Sequence, residues 1–306
     1  MEIKELLVPT DLSDNAERAL SYALNLAKRC SAKIHVLHVP EIPMSSLLEA
    51  ADAATPELTR RTLAEAQKAV DAVAARLREE GVEYETALRE GVVHKAIRQY
   101  ALDHQISVVV MGAHGRTGIS KRMYGSVTGR VLRTLPTPTI VVPPHGAQPP
   151  HAIVVAYDFS APAKRAAEAA QAIHGVFHGQ LYLVHAYVDA GSEPSPVDAI
   201  SRKAAKSRGE ATKSRREALR LGLNKMLDAA ASDLFSMDTQ SVQTKLVTGD
   251  PVDALLAVAQ EVGANLICAG TTGKGGIETL LMGSVARRLV QESPVPVLLT
   301  HDEEQC

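Results

Sequence analysis

The sequence is poor in aromatic residues: it has no tryptophan and only three phenylalanines. It therefore offers few flat side chains on which single-stranded bases could stack. Its formal net charge is -2, which is too small to draw the whole molecule to nucleic acid or to an anionic membrane. These features argue against nucleic-acid and membrane partners.

Cysteine is also scarce, with three widely spaced residues at Cys30, Cys268 and Cys306. An odd number at this spacing gives neither a disulfide framework nor a metal-binding pair. Cys268 lies in the apolar run ANLICAG and is predicted to be a small buried hydrophobic residue. For Cys306, exposure to solvent is the only reason to expect a reactive thiol. No run reaches transmembrane length, and the charged start MEIKELLVPTDLS is unlike a secretory signal. We expect a reducing, cytoplasmic location.

Several catalytic and nucleotide-binding motifs are missing. The phosphate loop GxxxxGK[ST] is absent, because Gly273 and Lys274 are followed by Gly275 rather than by a hydroxyl. The dinucleotide motif GxGxxG should follow the first strand, where this chain has PTDLSDN and AYDFSAP. Neither GxSxG nor HExxH occurs. The sequence therefore assigns no catalytic residue and no metal ligand.

What the chain does contain is an internal repeat. Residues 6–39 match residues 153–186 without gaps, which places Asp11 on Asp158. A second block aligns LREGVVHKAIRQYALDHQISVVVMGAHG with LVTGDPVDALLAVAQEVGANLICAGTTG at a larger offset, so the second copy has an insertion between the blocks. The linker PPHGAQPP cannot continue a strand or helix. We predict two domains, at residues 1–145 and 151–303.

Each copy alternates short apolar strands with helices. This order, with strands that are apolar on both faces, predicts a five-stranded parallel sheet with helices on both sides, which is a Rossmann-like α/β fold. In such sheets the ligand crevice lies at the carboxyl ends of the strands. Asp11 and Asp158 follow the first strand of each copy, and a glycine-rich stretch follows the fourth, so both are predicted at that edge.

The two glycine-rich stretches are GAHGRTGISKRMYGS, from Gly112, and GTTGKGGIETLLMGS, from Gly270. Both have a glycine, two residues, a glycine, nine residues, then Gly-Ser; we call this pattern the glycine motif. The final Gly-Ser opens a helix, whose unpaired N–H groups suit phosphate. The serine would cap that helix, bond a phosphate oxygen, or do both. The alternative is that the glycines only form turns and the serines only cap.

These residues resemble the universal stress protein family in its tandem form, whose ATP-binding members carry G-x2-G-x9-G-[ST]. The resemblance implies an adenine nucleotide alpha hydrolase-like fold, binding of ATP or AMP with or without Mg2+, and a regulatory role in the stress response. It also implies that the last strands, 137–143 and 295–301, join the halves as an internal pseudo-dimer; a homodimer and an unknown protein partner are further expectations. The copies differ at His114 and Thr272, and where GRTG becomes GKGG.

The aspartates suit a ribose hydroxyl or the adenine amino group, and Arg116 and Lys274 suit phosphate charge. By the resemblance, Val39 and Ala186 contact adenine through the main chain. The predicted nucleotide-binding residues are Pro9, Thr10, Asp11, Val39, Met111, Gly112, Gly115, Arg116, Gly125, Ser126 and Val127 in the first copy. In the second copy they are Ala156, Tyr157, Asp158, Ala186, Ala269, Gly270, Gly273, Lys274, Gly283, Ser284 and Val285.

Three functions are compatible with this pattern. The first is a regulatory module in which bound nucleotide changes shape or partners. The second is a slow ATPase or phosphotransferase, which would need metal and electrostatic stabilisation of the transferred group. No carboxylate set that clearly holds a metal is evident beside the glycine motif, which favours the module. The third is a scaffold whose crevices bind a non-nucleotide ligand or none.

Two further features have competing interpretations. His38 and His185 end the second strand of each copy, either as structural hydrogen-bonding residues or as titratable groups near the crevice. Residues 201–225 contain nine Lys and Arg against two Glu. They would form the solvated face of a helix or a flap over the second crevice, or would dock an acidic partner or membrane surface.

Overall fold

The computed structural model describes residues 1–40, 55–115, 125–145, 147–188, 202–235, 241–273 and 282–301. Within these ranges, the side chains of 55–59 and 202–213 are not described. Arg116, Lys274 and Cys306, which the sequence analysis singled out, lie outside the described residues.

The first half contains five strands and four described helices in alternation. In chain order they are β1 (Glu5–Thr10), α1 (Asp14–Cys30), β2 (Lys33–His38), α2 (Thr55–Glu79), β3 (Tyr84–Leu88), α3 (Val93–Asp103), β4 (Val108–Gly112), α4 (Ser126–Thr134) and β5 (Thr139–Val142). The strands pair in parallel in the order β3-β2-β1-β4-β5.

The second half repeats this order. Its elements are β6 (Ala152–Ala156), α5 (Ala161–Phe177), β7 (Gln180–Tyr187), α6 (Arg202–Leu234), β8 (Val242–Thr248), α7 (Pro251–Glu261), β9 (Leu266–Gly270), α8 (Ser284–Glu292) and β10 (Val297–Thr300). The parallel order β10-β9-β6-β7-β8 matches that of the first half. The predicted Rossmann-like α/β class is confirmed.

Local sequence explains how each half begins. The side chains of Leu6, Leu7 and Val8 are fully buried, because helices cover both faces of β1. Directly after the first strand, Ser13 caps α1 by accepting a hydrogen bond from the N–H of Ala16, and Ser160 caps α5 in the same way. Each half therefore turns from its central strand into a capped helix at the carboxyl edge of the sheet.

The two halves share one ten-stranded sheet, joined where β5 and β10 run antiparallel. Ile140 lies opposite Leu298 at the middle of this seam, and both side chains are fully buried. The pairing of the last strands, expected from the resemblance, is confirmed. It removes two sheet edges that would otherwise expose unpaired backbone groups.

The basic segment belongs to α6, which has 33 residues against 25 in α2. The repeat insertion thus falls within the connection that contains this helix. Most side chains of residues 214–225 are exposed, so the interpretation as a solvated helix face is confirmed for that part. Within the described ranges, no helix is both long enough and apolar enough to span a membrane.

Candidate functional site

A crevice opens at the carboxyl edge of the sheet in each half. The first has a volume of about 370 Å³ and the second about 750 Å³. Pockets of this size accommodate small molecules and cofactors. Both are lined by the turn after the first strand, the end of the second strand, the start of the glycine motif and the N-terminus of the following helix.

Every described residue of the predicted set lines one of the two crevices. The first crevice collects Pro9, Thr10, Asp11, Val39, Met111, Gly112, Gly115, Gly125, Ser126 and Val127. The second collects Ala156, Tyr157, Asp158, Ala186, Ala269, Gly270, Gly273, Gly283, Ser284 and Val285. Their role in binding a nucleotide stays a prediction.

The aspartates are held by identical turns. Asp11 Oδ1 accepts a hydrogen bond of 3.1 Å from the N–H of Ser13, and Asp158 Oδ1 accepts one of 3.0 Å from Ser160. The residue between, Leu12 or Phe159, has a left-handed φ of 63° or 64°. Such a conformation is uncommon for large side chains. The backbone therefore holds the carboxylate at the crevice in both copies.

The first glycine of each motif is required by packing inside the protein. A Cβ added to Gly112 would lie 2.9 Å from the carbonyl oxygen of Asn15, and one added to Gly270 would lie 2.6 Å from Cβ of Pro162. The end of the fourth strand thus lies directly against the first turn of α1 or α5. This glycine is explained without a ligand.

The second glycine makes room for the aspartate of the same half. A Cβ on Gly115 would lie 2.8 Å from Oδ2 of Asp11, and one on Gly273 would lie 2.5 Å from Oδ2 of Asp158. The glycine motif and the aspartate turn are therefore one structural unit, although about a hundred residues separate them in sequence.

The third glycine in the first half has no such internal reason. A Cβ on Gly125 would find its nearest atom, the backbone nitrogen of Gly115, at an ordinary 3.5 Å. At Gly283 the nearest atom, the carbonyl oxygen of Thr271, is closer at 3.1 Å. Gly125 is thus the glycine that best fits a requirement set by a ligand.

These third glycines, rather than the serines, are the N-caps. Gly125 and Gly283 occupy the cap positions without a side-chain hydrogen bond, and Ser126 and Ser284 are the first helical residues. The suggestion that the serines cap the helices is therefore wrong, because the turn into the helix comes one residue earlier. Their hydroxyls line the crevices beside N–H groups that helix geometry leaves without intrahelical acceptors.

The paired histidines tie the second strand to the aspartate turn. His38 Nδ1 donates a hydrogen bond of 2.7 Å to the carbonyl oxygen of Thr10, and His185 Nδ1 makes the same contact with Tyr157. This confirms the interpretation as structural hydrogen-bonding residues. Both histidines also line the crevices, where a functional role for them stays a hypothesis.

Sequence reasoning missed the contribution of α2 to the first crevice, which comes from Thr62, Glu65 and Ala66. These residues carry no motif, and only the path of the chain brings them to the crevice. No described residue of α6, the corresponding helix, lines the second crevice. A flap of α6 over the second crevice is therefore not seen among the side chains described.

Tyr157 and His185, which line the second crevice, belong to an aromatic group that also includes Phe159, a residue that does not line it. Tyr157 and Phe159 stand edge to face with ring centroids 5.2 Å apart, and Phe159 meets His185 in the same way at 5.0 Å. Burial, with Asp233 and Asp158 nearby, raises the pKa of Tyr157 above its ordinary value. The first half has Thr10 and Leu12 at the positions of Tyr157 and Phe159.

Among the described residues that line the crevices, the carboxylates Asp11, Glu65 and Asp158 carry the formal charges. Asp11 and Glu65 line the first and Asp158 the second, and neither set of described lining residues includes a lysine or arginine. An anionic ligand would be met, in the described part, by backbone N–H groups, serine hydroxyls and the helix dipole. The arrangement suits hydrogen bonding and positioning of a phosphate.

Comparison with known proteins agrees with this architecture. The model of the universal stress protein family matches residues 2–143 and again 150–301. A universal stress protein of Methanocaldococcus jannaschii is 31% identical over 140 residues, covering 45% of this chain and 81% of that protein. One from Mycobacterium tuberculosis H37Rv is 31% identical over 205 residues, covering 65% of this chain and 60% of that protein.

Among solved structures, a universal stress protein from Archaeoglobus fulgidus is similar over 98% of this chain and 99% of its own, with a TM-score of 0.69 and 23% identity. At that identity the likeness concerns the fold. The family model covers nearly the whole chain in two consecutive matches. This protein therefore belongs to the universal stress protein family and carries two copies of its domain in tandem.

Proposed function

We propose that this protein is a regulatory module that binds an adenine nucleotide, ATP or AMP, in each crevice. The observation that carries the proposal is the recurrence in both halves of one arrangement. An aspartate turn, a glycine motif and a helix N-terminus border a crevice large enough for a small ligand. The nucleotide phosphates would lie at the N-termini of α4 and α8, near Ser126 and Ser284.

The remaining lining supports the rest of the ligand. In the first half, Leu37, Val39, Ile97 and Met111 form an apolar wall that suits the adenine ring. Asp11 lines the same crevice beside Gly115 of the glycine motif, where its carboxylate would accept a hydrogen bond from a ribose hydroxyl or from the adenine amino group. Asp158 and Ala186 take the corresponding places in the second half.

A regulatory role is favoured over turnover by how the described carboxylates are used. Asp11 and Asp158 each accept a backbone hydrogen bond within their own turn, which suits a fixed binding group rather than a mobile base. The third carboxylate, Glu65 on α2, is engaged in an i,i+4 ion pair, with its Oε1 3.3 Å from Nε of Arg61. Mg2+, if required, would serve mainly to neutralise phosphate charge.

The test is a count of bound nucleotide in wild type and in Gly125→Val. The purified full-length chain is denatured to identify any released nucleotide, and ATP, ADP and AMP are then titrated by calorimetry with and without Mg2+. We expect a stoichiometry near two in wild type and near one in Gly125→Val. We expect the variant to fold, because the added Cβ meets no atom closer than 3.5 Å, and we expect its methyl groups to occupy the crevice that Gly125 lines.

Gly222→Ala, in α6 with no atom within 4 Å of the added Cβ, is the matched control and should bind as wild type. Equal binding in wild type and a folded Gly125→Val would contradict the placement of phosphate at α4. No binding of any adenine nucleotide would favour a scaffold with another ligand. Mg2+-dependent ATP hydrolysis that disappears in Gly125→Val would favour the slow ATPase.

A further inference from the structure

A group of donor atoms converges away from the crevice, at the corner of the first half formed by β2, β3 and the end of α3. Among the residues described, His35, Glu85 and His104 each place one possible metal-ligating atom within 4.8 Å of the others. His35 is buried, while the side chains of His104 and Glu85 are 29% and 41% exposed. The group therefore has one buried wall and one side open to solvent.

The ring of His104 presents a lone pair toward this point. Its Nδ1 lies 3.0 Å from the carbonyl oxygen of Tyr100, which can only accept, so Nδ1 carries the proton. In the neutral ring Nε2 is then unprotonated, and it lies 3.7 Å from Oε1 of Glu85. A metal-binding histidine typically donates its other ring N–H to a carbonyl or carboxylate in this way.

The ring of His35 is also oriented by a hydrogen bond from its other ring nitrogen, in this case to a carboxylate. Its Nε2 lies 2.7 Å from Oε2 of Glu5, so Nε2 carries a proton, and in the neutral ring Nδ1 then carries the lone pair. The pair Glu5 and His35 has the geometry of the carboxylate–histidine contact that supports metal ligands. Both imidazoles thus have their non-ligating nitrogens already engaged.

The hydroxyl of Tyr100 lies between two possible hydrogen-bond acceptors of this group. The Tyr100 hydroxyl lies 2.9 Å from His35 Nδ1 and 3.2 Å from Glu85 Oε1, yet it has a single proton for two acceptors. Lys33 lies 2.7 Å from Oε2 of Glu85, on the other oxygen. With neutral histidines, one contact around Tyr100 is therefore unsatisfied, and a cation between the donors would satisfy it.

The second half shows that the fold does not need these polar groups. His35 pairs with Glu85 across β2 and β3, and the corresponding pair in β7 and β8 is Tyr182 with Gln243. By the repeat alignment, Val262, Val258 and Ala152 stand where the first half has His104, Tyr100 and Glu5. The same architecture is built there without a comparable donor set.

We propose that His35, Glu85 and His104 bind a divalent metal ion of the zinc type, at a site separate from the nucleotide crevices. Two imidazoles and one carboxylate form a ligand set that zinc accepts, with a further position left for water. Imidazole ligands favour zinc, copper, nickel and iron over Mg2+ and Ca2+, which prefer oxygen. The solvent-exposed edges of Glu85 and His104 provide the entry path.

The test uses the untagged full-length protein, freed of metal by chelation and titrated with zinc sulfate by calorimetry. A Co2+ titration followed by visible absorption reports the coordination independently. We expect one zinc ion per chain. His104→Ala and Glu85→Gln should weaken binding by about tenfold or more, and Glu5→Gln, which only supports His35, by about 10–100-fold.

His94→Ala removes a histidine from α3, the helix that His104 directly follows, but outside the group, and should bind zinc as wild type does. Circular dichroism checks that each variant is folded; His104 is partly exposed, so its substitution perturbs packing least. The proposal is overturned if wild type binds no zinc at micromolar concentrations. It is equally overturned if all the variants bind zinc as tightly as wild type.

Discussion

Oδ2 of Asp11 fills the space that a side chain at residue 115 would need: a Cβ added to Gly115 would lie 2.8 Å from that oxygen. Asp158 and Gly273 repeat the relationship at 2.5 Å. The other carboxylate oxygen, Oδ1, is held by the N–H of the residue two positions on. The aspartate can therefore move away only by giving up that hydrogen bond.

This relationship predicts that Gly115→Ala destabilises the protein more in the presence of Asp11 than in its absence. In the Asp11→Ala background the added methyl group meets no carboxylate, so its cost should largely disappear. We expect a coupling free energy of about 0.5–3 kcal/mol between the two positions. Urea unfolding of wild type, both single variants and the double variant measures it.

The same double-mutant cycle at Asp158 and Gly273 is the matched comparison. Its coupling free energy should be larger, because the added Cβ would lie closer to the carboxylate oxygen there. Strict additivity in both cycles would contradict the view that the aspartate turn and the glycine motif form one unit. Gly222→Ala, in the interior of α6, should instead raise stability by up to about 1 kcal/mol, because its methyl group meets no atom and alanine is the better helix former.

We expect the stability of the protein to depend on pH through His301. Burial lowers its pKa below the ordinary 6.5, because the charged ring would lose its hydration, and Nδ1 already contacts the hydroxyl of Thr271 at 3.1 Å. A depressed pKa gives stability that is present above pH 6.5 and is lost as the pH falls through the folded-state value. His301→Asn, which keeps a polar atom near Nδ1, should lose less stability on acidification than wild type.

The test is to measure the urea midpoints of wild type and His301→Asn above pH 6.5 and at several lower pH values. The pKa of His94 is also lowered, by burial and by Arg130, so His94→Gln serves to separate its share. Identical pH profiles for wild type and His301→Asn would show that this histidine does not contribute.

The thiol of Cys268 should not react with thiol reagents in the native protein. Its side chain is completely buried in β9, and burial raises the pKa of the thiol far above its ordinary range, so little reactive thiolate exists. The prediction that it is a buried hydrophobe is confirmed by this placement. In a Cys30→Ser, Cys306→Ser double variant, we expect no labelling by a thiol reagent until denaturant is added.

The single variants are the controls. The Cys306→Ser variant keeps the partly buried Cys30, which should be labelled slowly in the native protein, because burial also raises the pKa of its thiol. Rapid native labelling of Cys268 would mean that β9 opens to solvent. Labelling that appears together with global unfolding would show that this strand belongs to the stable core.

Local patterns in the sequence determined a large part of this protein. Alternating strands and helices predicted the parallel sheets, because strands covered on both faces must be apolar throughout. The repeated spacing from Gly112 and from Gly270 located both crevices, because strand ends in such sheets meet at one edge. These inferences succeed since each depends on residues close together in the chain or on a repeat that can be read directly.

Tertiary structure alone decided the rest. It assigned Gly112 to packing against Asn15 and left Gly125 as the glycine that fits a ligand requirement, a distinction that depends on distances between remote atoms. It brought Glu65 to the first crevice and placed His35, Glu85 and His104 together from three separate elements. No local pattern marks such contacts, because they arise only when strand register and helix packing bring distant residues side by side.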